Sequence, residues 1–291
     1  MRLVLLIAGL LLALMGLAAE ARVHAPYRGH RIVPAASAEL PLDGFTTATV
    51  AVSFRKLRTA YAGPAIRIRR ASDNAELDIG FLGFVPGLGA PWNEAAAVSH
   101  CAATTCFGRT WYSQEPAARN LEQSTPANQM QLVFNCNGAL PCWRSVASEA
   151  FSASSFTPST GVMSLSVVAN RAVGTGACQW LRPATPNRMY AFSGTTSWQL
   201  VSTGTISTAV SDAVWHAAIG VINGAASVFA VDGVETTGTI TGSVAPAVIN
   251  LLGAAATTCQ WEEAISWDAY ALTAGERTAW RANQKSFWGT P

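Results

Sequence analysis

Two adjacent glutamates, Glu262 and Glu263, sit in a segment framed by Trp261 and Trp267, where a carboxyl group can lose its water. Desolvation raises a carboxyl pKa, so a glutamate among indoles can hold a proton for transfer, as a general acid must. In a strand over 260–268, period-two alternation places Trp261, Glu263, Ile265 and Trp267 on one face. Gln260, Glu262, Ala264, Ser266 and Asp268 fall on the other. Glu263 is therefore the candidate catalytic carboxyl. The plainer reading is a buried glutamate accepting backbone hydrogen bonds at a sheet corner, because structural networks perturb carboxylates too. The other acids after Ala150 are Asp212, Asp232, Glu235, Asp268 and Glu276. Asp232 belongs to a turn dipeptide and Glu276 to a helix cap, and no acid can be placed beside Glu263 from sequence. From Ala150 to Ser211 there is no aspartate or glutamate at all.

Other chemistries find less support. His24, His30, His100 and His216 lack metal spacing such as His-Glu-x-x-His, and there is no Gly-x-Ser-x-Gly elbow. Asp73, Asn74, Glu76 and Asp78 could offer oxygens to calcium, but they lack calcium-loop spacing and read as a polar hairpin turn. No cofactor and no metal are expected. Charged residues make up 12% of the chain and the net charge is +2. That leaves neither a basic stripe for nucleic acid nor an acidic tail.

The first residues read as a cleavable leader over 1–21. Arg2 precedes the apolar run Leu3–Leu17, and Ala19-Glu20-Ala21 offers a small-residue cleavage site. The run is short for a bilayer span. The expected location is secreted or periplasmic, with no membrane contact after cleavage. An even cysteine count in an exported chain points to disulfides. Close spacing pairs Cys101 with Cys106 and Cys136 with Cys142, leaving Cys178 for Cys259.

After a mixed arm over 22–40, residues 41–291 read as one β-domain. Residues 53–61 fit a short helix or an irregular first strand, and 65–70 and 77–81 fit strands around the turn Ser72-Asp73-Asn74. Strand patterns recur at 163–168, 215–222, 226–231, 234–240, 247–252 and 260–268. Asn223-Gly224 and Asp232-Gly233 favour tight type I′ turns, which makes a meander. Thr273 and Glu276 stand at capping-box spacing ahead of Trp280, Phe287 and Trp288, marking a terminal helix. Antiparallel meanders with one helix describe an all-β, concanavalin-like two-sheet sandwich (jelly roll) with a short C-terminal helix.

Several stretches together resemble the catalytic domain of the α-L-arabinofuranosidase B family. They are Arg58-Thr59-Ala60-Tyr61-Ala62-Gly63-Pro64, Ile68-Arg69-Arg70, Ser72-Asp73-Asn74-Ala75 and the loop His100–Cys106. Trp111-Tyr112-Ser113-Gln114 is similar to the family's Tyr-Asp-Gln-Ser-Gly stretch, Asn120–Gln123 to its Asn-x-x-x-Gln, and Glu263-Ala264-Ile265 with the capped helix to its ending. The resemblance implies a concanavalin-like sandwich and a glycan partner bearing arabinofuranosyl groups. It also exposes departures. Ser113 replaces the family's aspartate, and Gln179 replaces the second cysteine of Gly-Ala-Cys-Cys. The nucleophile segment falls near 190–208, inside the acid-free span, and the second acidic site falls in Gly253-Ala254-Ala255-Ala256.

Retaining glycoside hydrolysis needs two carboxyls about 5 Å apart. The expectation is therefore a glycan-binding sandwich with lost or weak hydrolysis. The alternatives are an active glycosidase with relocated carboxylates, pairing Glu263 with Glu235 or Asp268, and a non-catalytic structural or adhesive module. Trp180, Gln179 and Trp198 lie nearest the family's sugar site and are the candidate substrate contacts. Most of the ten tryptophans are expected to fill the core.

Overall fold

The structure is a computed structural model that describes residues 39–83, 90–154, 156–173, 176, 178–183, 191–193, 197–211, 213–242, 247–252 and 257–291. The leader, nearly all of the arm, Asp212 and Gly253–Ala256 lie outside the described residues. Everything that follows concerns the compact unit spanning Ile32–Pro291.

One antiparallel ladder curls into two layers. The first runs β1 (Val50–Ser53), β18 (Thr258–Asp268), β9 (Met163–Val173), β14 (His216–Ile222), β15 (Gly224–Val231) and β16 (Val234–Ile240). The second runs β3 (Glu76–Ile79), β2 (Ile66–Arg70), β4 (Cys106–Trp111), β5 (Leu121–Glu122) and β8 (Ala150–Ser152). It continues through β17 (Ala247–Leu252), β10 (Gln179–Pro183), β11 (Ala191–Ser193), β12 (Ser197–Val201) and β13 (Thr205–Ala209). The layers join through β6 (Gln131–Asn137), which bridges β4 and β7 (Leu140–Ser145), while β7 pairs with the start of β18. The expected antiparallel sandwich is what forms.

Between the layers lies an aromatic core. Phe54, Trp111, Trp143 and Phe151 meet at ring-centroid distances of 5.2 to 6.4 Å, and Trp180, Trp198 and Trp261 extend the same cluster. Every tryptophan except Trp215 is buried. Each buried indole removes roughly 150–250 Å² from water, about 4–6 kcal/mol before ordering entropy is subtracted. Gly108 permits the close fit: a Cβ there would stand 2.2 Å from the Phe151 ring.

A second cluster covers the outside of the first layer, where Ile219, Val221, Ile265 and Trp267 meet Leu42 and Trp280. Trp280 comes from helix α2 (Ala274–Trp288). Its capping box is present as expected: Glu276 N–H donates to Thr273 Oγ1 (3.3 Å) and Thr273 N–H to Glu276 Oε2 (2.8 Å). Trp280, Gln284 and Trp288, four apart, form its buried stripe, and Gly289 closes the helix at φ 68°.

Two local expectations need correction. Asp232 and Gly233 have φ of 50° and 85°, as a type I′ turn requires, but at the preceding hairpin only Gly224 is positive. There the Asn223 N–H donates to the buried Ser227 Oγ at 2.9 Å, and that hydroxyl holds a wider, bulged loop. Residues 53–61 form neither helix nor strand beyond Ser53. A helix that the periodicity did not reveal, α1 (Glu94–His100), is capped by Asn93, whose Oδ1 accepts from Ala96 N–H. The polar turn after β2 is a hairpin, with Arg67 gripping Asp78 and Arg70 beside Asp73.

All three disulfides join the expected partners: Cys101–Cys106, Cys136–Cys142 and Cys178–Cys259. Among the described residues no helix is long and apolar enough to cross a membrane, and no cluster of His, Cys, Asp and Glu could hold a metal.

Candidate functional site

The alternation expected for β18 breaks at a bulge between Trp261 and Glu263. An extra residue in one strand shifts every later side chain to the opposite face. Trp261 and Ala264 therefore join the inter-layer core, whereas Ile265 and Trp267 join the cluster beneath α2. Trp261 does not share a face with Ile265 and Trp267.

Both glutamates of the bulge engage the α2 side. Arg55 grips Glu263 through Nε to Oε2 (2.8 Å) and Nη2 to Oε1 (3.1 Å). Ser53 Oγ donates to Oε2 and Gln284 Nε2 to Oε1, each at 3.0 Å. Glu263 has no exposed surface and Arg55 has 3%. The Arg55 guanidinium lies 4.7 Å from the Phe287 ring centroid and 5.6 Å from that of Trp288. Glu263 thus spends its oxygens on four donors under a helical roof, which is the work of a clamp between β18, β1 and α2. Glu262 is equally buried and accepts from Asn137 Nδ2 (3.2 Å), which also donates to the Trp288 carbonyl (2.8 Å). Burial pushes the Glu262 pKa well above the ordinary carboxylate range, with the neighbouring Glu263 charge adding to the effect and Asn137 and Arg55 opposing it. The two carboxyls are neighbours, but both are fully buried.

Each remaining described acid of the second half also has a structural partner. Glu235 pairs with Arg277 on α2 at 2.7 and 2.9 Å, and that pairing lowers its pKa. Asp268 accepts from the N–H and Oγ of Ser159, Asp232 from His216 Nδ1 and Ala217 N–H, and Glu276 from the Tyr270 hydroxyl.

The candidate substrate residues lie on the run β8-β17-β10-β11-β12-β13. None of these neighbouring strands carries an aspartate or glutamate. Register assigns their faces. Gln179 stands across from Ala191, Ala191 from Gln199, and Gln199 from Ser207, so this row occupies one face. Trp180 and Trp198, at 0% and 2% exposure, point the other way into the core. Trp198 meets the His216 ring edge-on at 5.1 Å, and the Nε2 of that imidazole bonds the Ser211 carbonyl. The structure therefore does not bring Trp180, Gln179 and Trp198 to one surface. It adds Gln199, half-buried and two strands from Gln179 across Ala191, which the alternation of Ser-Trp-Gln-Leu-Val could have revealed once Trp198 and Leu200 were assigned inward. The Gln179 Oε1 is itself buried and has no hydrogen-bond partner among the described residues.

The stretch Ser113-Gln114 serves the scaffold. Ser113 Oγ accepts from Ala51 N–H (3.1 Å), while Gln114 accepts from Leu57 N–H (2.6 Å) and donates to the Arg55 carbonyl (2.8 Å). A hydroxyl at position 113 can accept a backbone N–H as a carboxylate can, so this departure leaves the fold intact.

Residues 43–139 match the family model described as Alpha-L-arabinofuranosidase B, catalytic. Among solved structures, a GH54 α-L-arabinofuranosidase soaked with a cyclic sulfate inhibitor is similar at TM-score 0.62 and 15% identity, covering 82% of this chain and 63% of that one. An arabinofuranosidase complexed with arabinofuranosyl-α-1,2-xylobiose gives TM-score 0.61 and 16% identity, covering 82% of this chain and 62% of that one. The chain thus spans somewhat less than two thirds of the length of these structures. No curated protein matches it. Residues 43–139 thus resemble the arabinofuranosidase B catalytic domain, and the chain shares the fold of these structures at low identity.

Proposed function

We propose that this chain is an exported, carbohydrate-directed β-sandwich that binds arabinose-containing or similar glycans and hydrolyses them weakly or not at all. One observation carries the reading. The run from β8 to β13 through β17 is free of acids, and so are its connections within 150–211 and the segment 253–256. Cleavage with retention needs a nucleophilic carboxylate and a proton donor about 5 Å apart, and amides, hydroxyls and alanines fill neither role. The only adjacent acids among the described residues of β18, Glu262 and Glu263, are sealed beneath α2.

Binding asks for less. Gln179 and Gln199 provide amides on one face, two strands apart with Ala191 between them, and amide groups can donate to and accept from sugar hydroxyls. Trp180 and Trp198 support that surface from beneath. Support for a glycan partner comes from the arabinofuranosyl-xylobiose bound by one structural relative. The disulfides support export, since such bonds persist in oxidising compartments. A leader over 1–21, an arm over 22–40 and the sandwich over 41–291 belong to the same proposal.

The test is direct. The purified chain is incubated with aryl α-L-arabinofuranosides and with arabinoxylan, and passed over an arabinoxylan affinity matrix. Retention without turnover is the expected outcome. Enzyme-like turnover rejects the proposal, and so does failure to be retained on any arabinose-containing polymer.

A further inference from the structure

A groove of 660 Å³ opens between the segment following β1 and the loop following β4, within the size range of small-ligand sites. Tyr61, Ala62 and Gly63 form its wall, and the same residues line a hollow of 510 Å³ on their other side. Neither space includes any residue of β10–β13.

The floor carries charge but no net charge. Arg58 Nε bonds Glu115 Oε1 at 2.9 Å, and its remaining nitrogens bond the carbonyls of Leu42, Phe45 and Thr46. The guanidinium is thus consumed by the fold and its charge is balanced by Glu115, so the groove does not select a phosphate or a uronate. Two phenol rings are held in place above it. Tyr61 donates its hydroxyl proton to the Pro64 carbonyl (2.8 Å), and Tyr112 donates to Asp78 Oδ1 (2.9 Å). Gly63 is required for the first ring, because a Cβ there would stand 2.5 Å from the Tyr61 hydroxyl. Both rings are half-buried, so they offer apolar area at little further cost in rotamer freedom.

Polar groups remain available. Asn120 Oδ1 accepts from Ser113 N–H (3.1 Å), leaving its Nδ2 as a donor, and the Tyr61 and Tyr112 hydroxyl oxygens keep lone pairs that can accept from a sugar hydroxyl. Around them the rim is small-chained, with Ala60, Ala62 and Ala118, so a flat ring can approach the tyrosines.

We infer that this groove is a second carbohydrate-contact site, which takes a neutral, hydroxyl-rich sugar chain against Tyr61 and Tyr112. Rigid aromatic rings, a charge-balanced floor and a few fixed donors and acceptors suit a polyol better than an ion or a greasy ligand. The inference rests on the glycan-binding reading for the class of sugar, but not for the place where it binds.

Titration calorimetry of the full chain with arabinoxylan oligosaccharides and with unbranched xylohexaose tests it. The variants are Tyr112→Ala, Asn120→Ala, Tyr112→Phe and, on the other surface, Gln179→Ala. Removing an aromatic anchor should weaken binding about tenfold or more, whereas Tyr112→Phe keeps the ring and should stay within about threefold. Circular dichroism melts identify any variant that fails to fold, and Tyr112→Phe still separates ring contact from structural loss. If the wild type binds and both alanine variants bind equally well, the groove inference is overturned while the glycan-binding reading stands. If Gln179→Ala alone abolishes binding, the groove is likewise overturned. No binding by the wild type removes both.

Discussion

Replacing Glu263 by glutamine should destabilise the chain by about 3–5 kcal/mol, because it strands the Arg55 guanidinium at 3% exposure without its counter-charge. Arg55→Met should cost about the same, since it leaves Glu263 buried with only Ser53 and Gln284 as donors. The double variant Arg55→Met/Glu263→Met removes both charges together. Gln284 Nε2 keeps its bond to Ser166 Oγ (3.0 Å), so the main residual loss is the acceptor for the Ser53 hydroxyl, about 1–3 kcal/mol. Glu263→Met should cost about as much as Glu263→Gln, so the two single methionine losses sum to about 6–10 kcal/mol while the double loses about 1–3, a coupling of roughly 3–9 kcal/mol. Urea unfolding followed by tryptophan fluorescence measures each value. Trp280 and Trp288 flank Arg55 and report directly on the network. Losses below about 1 kcal/mol for Glu263→Gln, or simple additivity in the double variant, would refute the clamp. A catalytic Glu263 predicts the opposite pattern, with unchanged stability and an abolished activity.

Two further outcomes follow from the same structure. Glu262 has a folded-state pKa raised by burial above the ordinary 4.5, so the folded chain keeps a proton that the unfolded chain releases. Its contribution is fully present below the unfolded-state pKa and is lost as pH rises through the folded-state value. Between about pH 4 and 8 the urea midpoint of Glu262→Gln should therefore gain on that of the wild type as pH rises; parallel curves would count against this assignment. The Cys178–Cys259 bridge closes a separation of 81 residues, so Cys178→Ala/Cys259→Ala should lose about 4 kcal/mol. Removal of the short Cys101–Cys106 bridge should cost less, and calorimetric melting of both double variants checks the order.

Much of the architecture was legible from local signals. The Asp232-Gly233 turn, the Thr273–Glu276 capping box and the close cysteine pairs each act within a few residues, so sequence alone identified them. The acid-free span was equally visible, although only strand order showed that β8 and β10–β13 within it belong to one layer while β9 belongs to the other. What sequence could not settle was the orientation of side chains around long-range contacts. The bulge at Trp261–Glu263 falls where β18 changes partners from β7 to β1 while staying paired with β9, and it turned the expected face inside out. The partner of Glu263 lies 208 residues away on a segment without regular structure, where no periodicity announces it. Gln179 parted from Trp180 and Trp198 because strand register, a property of the assembled sheet, decides which alternate residues meet the core. Sequence thus determined the turns, caps, staples and missing acids. Tertiary structure decided which carboxyls are buried and paired and which face is open, because those depend on atoms brought together only by packing.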